Sequence, residues 1–124
     1  MNIEYFPESS VRLIDGHEWK VVSHFREQIE ALAAEQAEDI AVHDLAGFHS
    51  IDNCRLFAKR SNADHGICPL QEPHNFECRL LPKTWGHIAW LLEPFSNGSY
   101  FAASHQYLDT HGKIQLIISG GRGW

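Results

Sequence analysis

Four side chains with zinc-compatible chemistry fall close together: His65, Cys68, His74 and Cys78, with two, five and three residues intervening. Thiolate and imidazole suit a tetrahedral ion, and a two-residue interval lets neighbouring ligands bend onto one centre. The competing reading is structural. Cys78 is then a core residue of a strand, beside Phe76 and Leu80, and His65 and His74 are solvated loop residues. Buried single cysteines behave as small hydrophobes, so the leading expectation is no cofactor, with zinc at these four residues as the alternative.

A second set consists of His87, His105 and His111 with Trp90, Tyr100 and Tyr107. His105 lies between Phe101 and Tyr107 on a stretch read as apolar, where an imidazole is costly unless hydrogen-bonded. One reading has it line a cavity, where beside a carboxylate such as Glu93, Asp44 or Asp52 it has the makings of a general base or a proton-sensitive binding group; the competing reading makes it a satisfied or partly exposed sheet residue. His111 sits at the tip of a turn. Serines adjacent to histidines, such as Ser23 and His24, carry no weight, because triads are spatial arrangements. No nucleophile elbow, paired-carboxylate signature or dinucleotide fingerprint occurs.

These side chains need a scaffold, and the stretch from Phe76 to Ser119 is the one long and apolar enough to supply it. Turn-forming clusters at Pro82–Gly86, Pro94–Ser99 and Asp109–Gly112 divide it into four runs: Phe76–Leu81, His87–Leu92, Tyr100–Leu108 and Lys113–Ser119. Short reversals between such runs predict an antiparallel meander. A two-residue loop in the last pair places Phe101, Ala103, His105 and Tyr107 on the same inward face as Ile114, Leu116 and Ile118.

Ahead of it, Val11–Ile14 reads as a short strand, and a helix is predicted over Gly16–Glu38. Asp15 is its N-cap, Glu18 closes a capping box, and Ile14 with Trp19 forms a hydrophobic staple. Val22, Phe25, Ile29 and Leu32 recur at intervals of three and four, the spacing of one helical face. Asn53–Lys59 is a strand with Cys54, Leu56 and Ala58 on one face. Arg60–Asn75 is a long loop, and residues 119–124 form a flexible tail.

A chain of 124 residues makes one domain, and at this size about two thirds of the unfolded chain's surface is buried on folding. The net charge of −6, with ten Lys and Arg spread along the chain, argues against nucleic acid as a partner. Three cysteines are too few for a disulfide framework and predict reduced thiols in a cytoplasmic protein. No apolar stretch of spanning length supports a membrane partner. Asn97-Gly98-Ser99 reads as a turn. Fourteen aromatic rings (four Trp, seven Phe, three Tyr), with a run His87–Leu92 apolar on both strand faces, predict a homodimer.

Two resemblances follow from these motifs. The His65–Cys78 cluster resembles a zinc knuckle in kind, departing from it in the order and spacing of the ligands. The long early helix and the final hairpin Tyr107–Ile114 look like the cone-shaped NTF2 and SnoaL-like domains, whose curled sheet folds around a helix and encloses an apolar pocket. That resemblance implies a pocket between helix and sheet and pairing across a dimer interface.

The expectation is an α+β domain with one long N-terminal helix on an antiparallel sheet of four to six strands. Its expected role is non-enzymatic binding of a small molecule in an aromatic pocket walled by Trp19, Phe25, Trp90, Phe101, His105 and Tyr107. The alternatives are a zinc-dependent protein, and an acidic interaction protein that masks a basic partner.

Overall fold

The computed structural model describes residues 1–7, 9–14, 18–97 and 105–120. In chain order the elements are β1 (Asn2–Phe6), β2 (Ser10–Ile14), α1 (Trp19–Ala33), β3 (Asp39–Ala41), a 3-10 turn (Val42–Asp44), β4 (His49–Ser50), β5 (Arg55–Arg60), β6 (Gly66–Pro69), β7 (Asn75–Leu80), α2 (Pro82–Leu91), α3 (Glu93–Ser96), β8 (His105–Asp109) and β9 (Gln115–Ser119).

The strands form two mixed sheets, one of five in the order β4-β1-β2-β9-β8 and one of four in the order β3-β5-β7-β6. In the first, β1 and β2 form an antiparallel hairpin that sets Ile3 opposite Leu13. On its other side β2 runs parallel to β9, with Val11 beside Leu116 and Leu13 beside Ile118. In the second, β5 and β7 are parallel, with Leu56 beside Phe76 and Ala58 beside Cys78. Alternation sends these residues inward and leaves Lys59 and Glu77 outside as an ion pair of 3.0 Å. The Tyr5 and Phe76 rings, 4.6 Å apart, join the inner faces of the two sheets, and an isolated bridge from Ile67 to Ile114 ties their margins.

The helices complete the core. Val22, Phe25, Ile29 and Leu32 of α1 are all buried, as their spacing requires, each contributing about 1.5–3 kcal/mol. α1 packs chiefly along α2 and α3. At the crossing, Gly86 faces Ala33, and a Cβ built at Gly86 would meet that side chain at an ordinary 3.7 Å. α2 carries Pro82 at its first turn and buries Trp85, Ile88 and Ala89. The Trp85 indole N–H donates to the Lys59 carbonyl at 2.9 Å, fastening α2 to the second sheet.

Several expectations are corrected. The helix is neither long nor N-terminal: it covers Trp19–Ala33 and follows a hairpin. Glu35 adopts a left-handed φ of 60°, and the Gln36 N–H turns back to the Ala31 carbonyl at 2.9 Å, closing the last turn. Glu18 is the N-cap without a side-chain cap bond; its carboxylate instead pairs with the Met1 ammonium. Trp19, expected in a staple, is half exposed at the helix start. Asp15 lies outside the described residues, as do Tyr100, Phe101, Ala103 and residues 121–124.

The meander is also revised, because its second run, His87–Leu92, is the C-terminal part of α2 and its cap. Ile88, Ala89 and Leu92 are buried while Trp90 is exposed, a helical division that removes the two-faced strand from the case for a dimer. The long loop contains strand β6. The cone of one curled antiparallel sheet gives way to two mixed sheets. Among the described residues no helix is long and apolar enough to cross a membrane.

Candidate functional site

The four presumed zinc ligands do not converge. Antiparallel pairing sets Cys78 opposite Ile67 and Cys68 opposite Glu77, so the two sulfurs leave opposite faces of the sheet. Cys78 is fully buried, and burial, followed by the charge of Asp109, pushes its thiol well above the ordinary range. His65 flanks the Arg79 end of the β6–β7 pair, where its N–H reaches the Arg79 carbonyl. His74 flanks the other end, its ring edge-on to Tyr5 and its Nδ1 3.1 Å from the Asp52 carbonyl. His65 and Cys68 do share one hollow of about 510 Å³ with Tyr5, Ile67 and Ile114. Among the described residues no three His, Cys, Asp or Glu side chains are grouped so as to hold a metal ion.

The aromatic set divides as well. Phe25 is buried against Phe48 in the core, ring centroids 5.4 Å apart, and Trp19 stands apart at the start of α1. His105 and Tyr107 face outward on β8, where Tyr107 is 45% exposed. The cause is a bulge: Tyr107 pairs with Ile117 but Asp109 pairs with Leu116, so two steps on β8 meet one on β9. The slip turns His105 and Tyr107 away from Leu116 and Ile118 and buries Leu108 and Asp109 instead.

That burial builds the most distinctive polar cluster in the described molecule. His111 Nδ1–H donates to Asp109 Oδ1 at 2.5 Å, and its backbone N–H reaches Asp109 Oδ2 at 3.3 Å, an Asx-type turn. On the other side of the ring, Nε2 lies 3.7 Å from Asp64 Oδ2. Asp64 in turn accepts the Leu81 N–H at 2.9 Å. Leu81 is the N-cap of α2, so the carboxylate sits at the positive end of the helix. The close packing here requires glycine: Gly66 has a φ of 77°, and a Cβ on it would fall 2.3 Å from the Gly112 nitrogen.

The cluster shifts the titration of its members. The Asp109 hydrogen bond raises the His111 pKa above 6.5; burial opposes this, and the charges of Asp109 and Asp64 add to the rise. For Asp64, burial pushes upward, but the Leu81 N–H, the Thr84 hydroxyl, His111 and Lys83 outweigh it and hold the carboxyl below 3.8. Each ring nitrogen faces its own carboxylate, so the imidazole is a clasp between β8–β9 and α2 rather than a free base.

The clasp borders a groove of about 310 Å³ whose walls include Thr84, His87, Leu91, Gln106, Tyr107 and His111. Leu91 and Gln106 also line a second hollow of about 380 Å³, bounded further by Trp90, Glu93, Pro94 and Asn97. Trp90 is 63% exposed, with the His87 ring stacked on it at 5.7 Å. Trp90 and Tyr107, two of the predicted wall residues, thus border adjoining hollows across α2 and β8. Sequence reasoning missed Asp64 and Asp109. The signal for Asp109 was an aspartate two residues before a turn histidine; Asp64 had none. No family model matches the chain, and neither curated proteins nor solved structures give a match.

Proposed function

We propose that the chain is a small-molecule-binding module whose ligand lies along the two hollows between α2 and β8, and that it performs no reaction of its own. One observation carries this reading: Trp90 and Tyr107, 63% and 45% exposed, border hollows that share Leu91 and Gln106 as common walls. Large rings left in solvent beside concave, mixed apolar and polar surface are what a ligand site requires. A reducing, cytoplasmic setting accords with the three free thiols.

The test is a fragment screen followed by amide and indole NMR shifts. Compounds that bind are expected to move the Trp90 indole N–H and the Gln106 and Tyr107 amides, and Trp90→Ala should abolish the shifts of the two amides. A screen whose hits leave all three unmoved overturns the reading.

Self-association is a companion proposal supported by a different observation. β8 is the outer strand of its sheet among the described strands, and two copies can pair there about a two-fold axis. A monomeric mass in solution at high protein concentration would refute it.

A further inference from the structure

Trp90 borders two different hollows, and one of them already holds a cation. On the α1 side, the Arg26 guanidinium lies with Glu30, Gly86, Ala89 and Trp90 around one depression. Arg26 Nε donates to the Ala89 carbonyl at 2.8 Å and lies 3.3 Å from Glu30 Oε1. A positive group, a carboxylate, a carbonyl from the last turn of a helix and an indole are thus brought together. The last turn of α2 carries the negative end of the helix dipole, which favours a cation there.

The second hollow that Trp90 borders has similar parts, without a cation among its described lining residues. The hollow of about 380 Å³ includes Trp90, Glu93, Pro94 and Asn97, and no Lys, Arg or His is among its described lining residues. The Glu93 side chain is exposed and makes no ion pair among the described residues. Glu93 follows Trp90 by three positions across the α2–α3 junction, so the carboxylate and the indole border one hollow of small-molecule size.

Resting on the small-molecule reading above, we propose that this hollow binds a small organic ammonium ion. The cation lies against the Trp90 face, Glu93 accepts its N–H or neutralises its charge, and the apolar body extends along Leu91 toward Gln106. Indole is the strongest side-chain partner for such a cation, and the chain's net charge of −6 favours its approach.

Three probes that share one aromatic body separate the possibilities: phenethylammonium, phenethyl alcohol and 3-phenylpropionate, titrated against the full chain while the Trp90 indole N–H is followed by NMR. The ammonium is expected to bind about tenfold more tightly than the alcohol, with the carboxylate weakest. Glu93→Gln should erase most of that preference while leaving alcohol binding in place, and Trp90→Ala, followed by the Gln106 and Tyr107 amides, should remove binding of all three. Equal binding of ammonium and alcohol at Trp90 overturns the cation assignment and leaves the small-molecule reading standing. Hits from the fragment screen that leave Trp90, Gln106 and Tyr107 unmoved overturn both. A lysine-rich peptide that displaces phenethylammonium at far lower concentration overturns the proposal in favour of a protein partner.

Discussion

The two ends of α2 are built on opposite terms. At the first, the polar groups answer one another: Asp64 takes the Leu81 N–H, His111 bridges Asp64 and Asp109, and Trp85 a turn further on is buried with its N–H on the Lys59 carbonyl. At the second, Trp90 is 63% exposed and Glu93 lies in solvent beside a hollow. One helix thus carries a fastened end and an open end. A chain buries and pairs what holds its fold; at the second end the Glu93 carboxylate has no ion-pair partner among the described residues, and it is there that we place the proposed ligand.

The contrast can be broken most forcefully at the fastened end. Trp85→Ala removes a fully buried ring and its hydrogen bond and should cost about 3–5 kcal/mol of stability, read as a lowered urea midpoint. If the loss is no larger than for Trp90→Ala, the two ends are not distinct.

The clasp gives the next largest effect. His111→Ala leaves the buried Asp109 carboxylate without its ring partner and should cost about 2 kcal/mol at neutral pH. The pH dependence follows from the raised His111 pKa: its contribution is fully present below the ordinary 6.5 and is lost as pH rises through the folded value. Asp64, with its carboxyl held below the ordinary 3.8, contributes above that value and loses its part as pH falls through the lowered one. Urea midpoints measured from about pH 6 to about pH 9 should fall in the natural chain and fall less in His111→Ala. A parallel decline in both would remove His111 from the account.

Between the two ends, Gly86→Ala should stabilise the chain by about 0.5–1 kcal/mol, since its Cβ meets Ala33 at an unstrained distance. Thermal unfolding reads this directly, and a loss would mean that the α1–α2 contact is tighter than its geometry indicates. Smallest of all, Trp90→Ala should leave stability within about 0.5 kcal/mol while abolishing the ligand-induced NMR shifts. A large loss of stability there would make Trp90 a structural residue and close the open end.

What was legible in the sequence follows the same physical divide. The stripe of Val22, Phe25, Ile29 and Leu32, and the buried face of Cys54, Leu56 and Ala58, are periodic and emerged as expected. The end of α1 was not legible, because Ala34, Glu35 and Gln36 are good helix residues and the left-handed stop at Glu35 uses no glycine. α2 was mistaken for a strand because Pro82 and Gly86 read as a turn. Yet Pro82 is also a helix-start signal, and Trp85, Ile88, Ala89 and Leu92 already had helical spacing. For the site, Trp90, Tyr107 and His111 could be named from residue type alone. Asp64 joins them only through tertiary placement, and Asp109 is buried only through a bulge at Leu108 that no local residue announces.

The parallel pairing of β2 with β9 also sets an order of assembly. One strand covers Ser10–Ile14 and the other Gln115–Ser119, so the contacts between them join residues far apart in the sequence. A nascent chain still lacking residues 115–119 can form the β1–β2 hairpin, which alone is marginal in water. It cannot complete the sheet on which α2 and the clasp depend. High contact order of this kind slows folding toward milliseconds to seconds, and it makes closure of the core a late event.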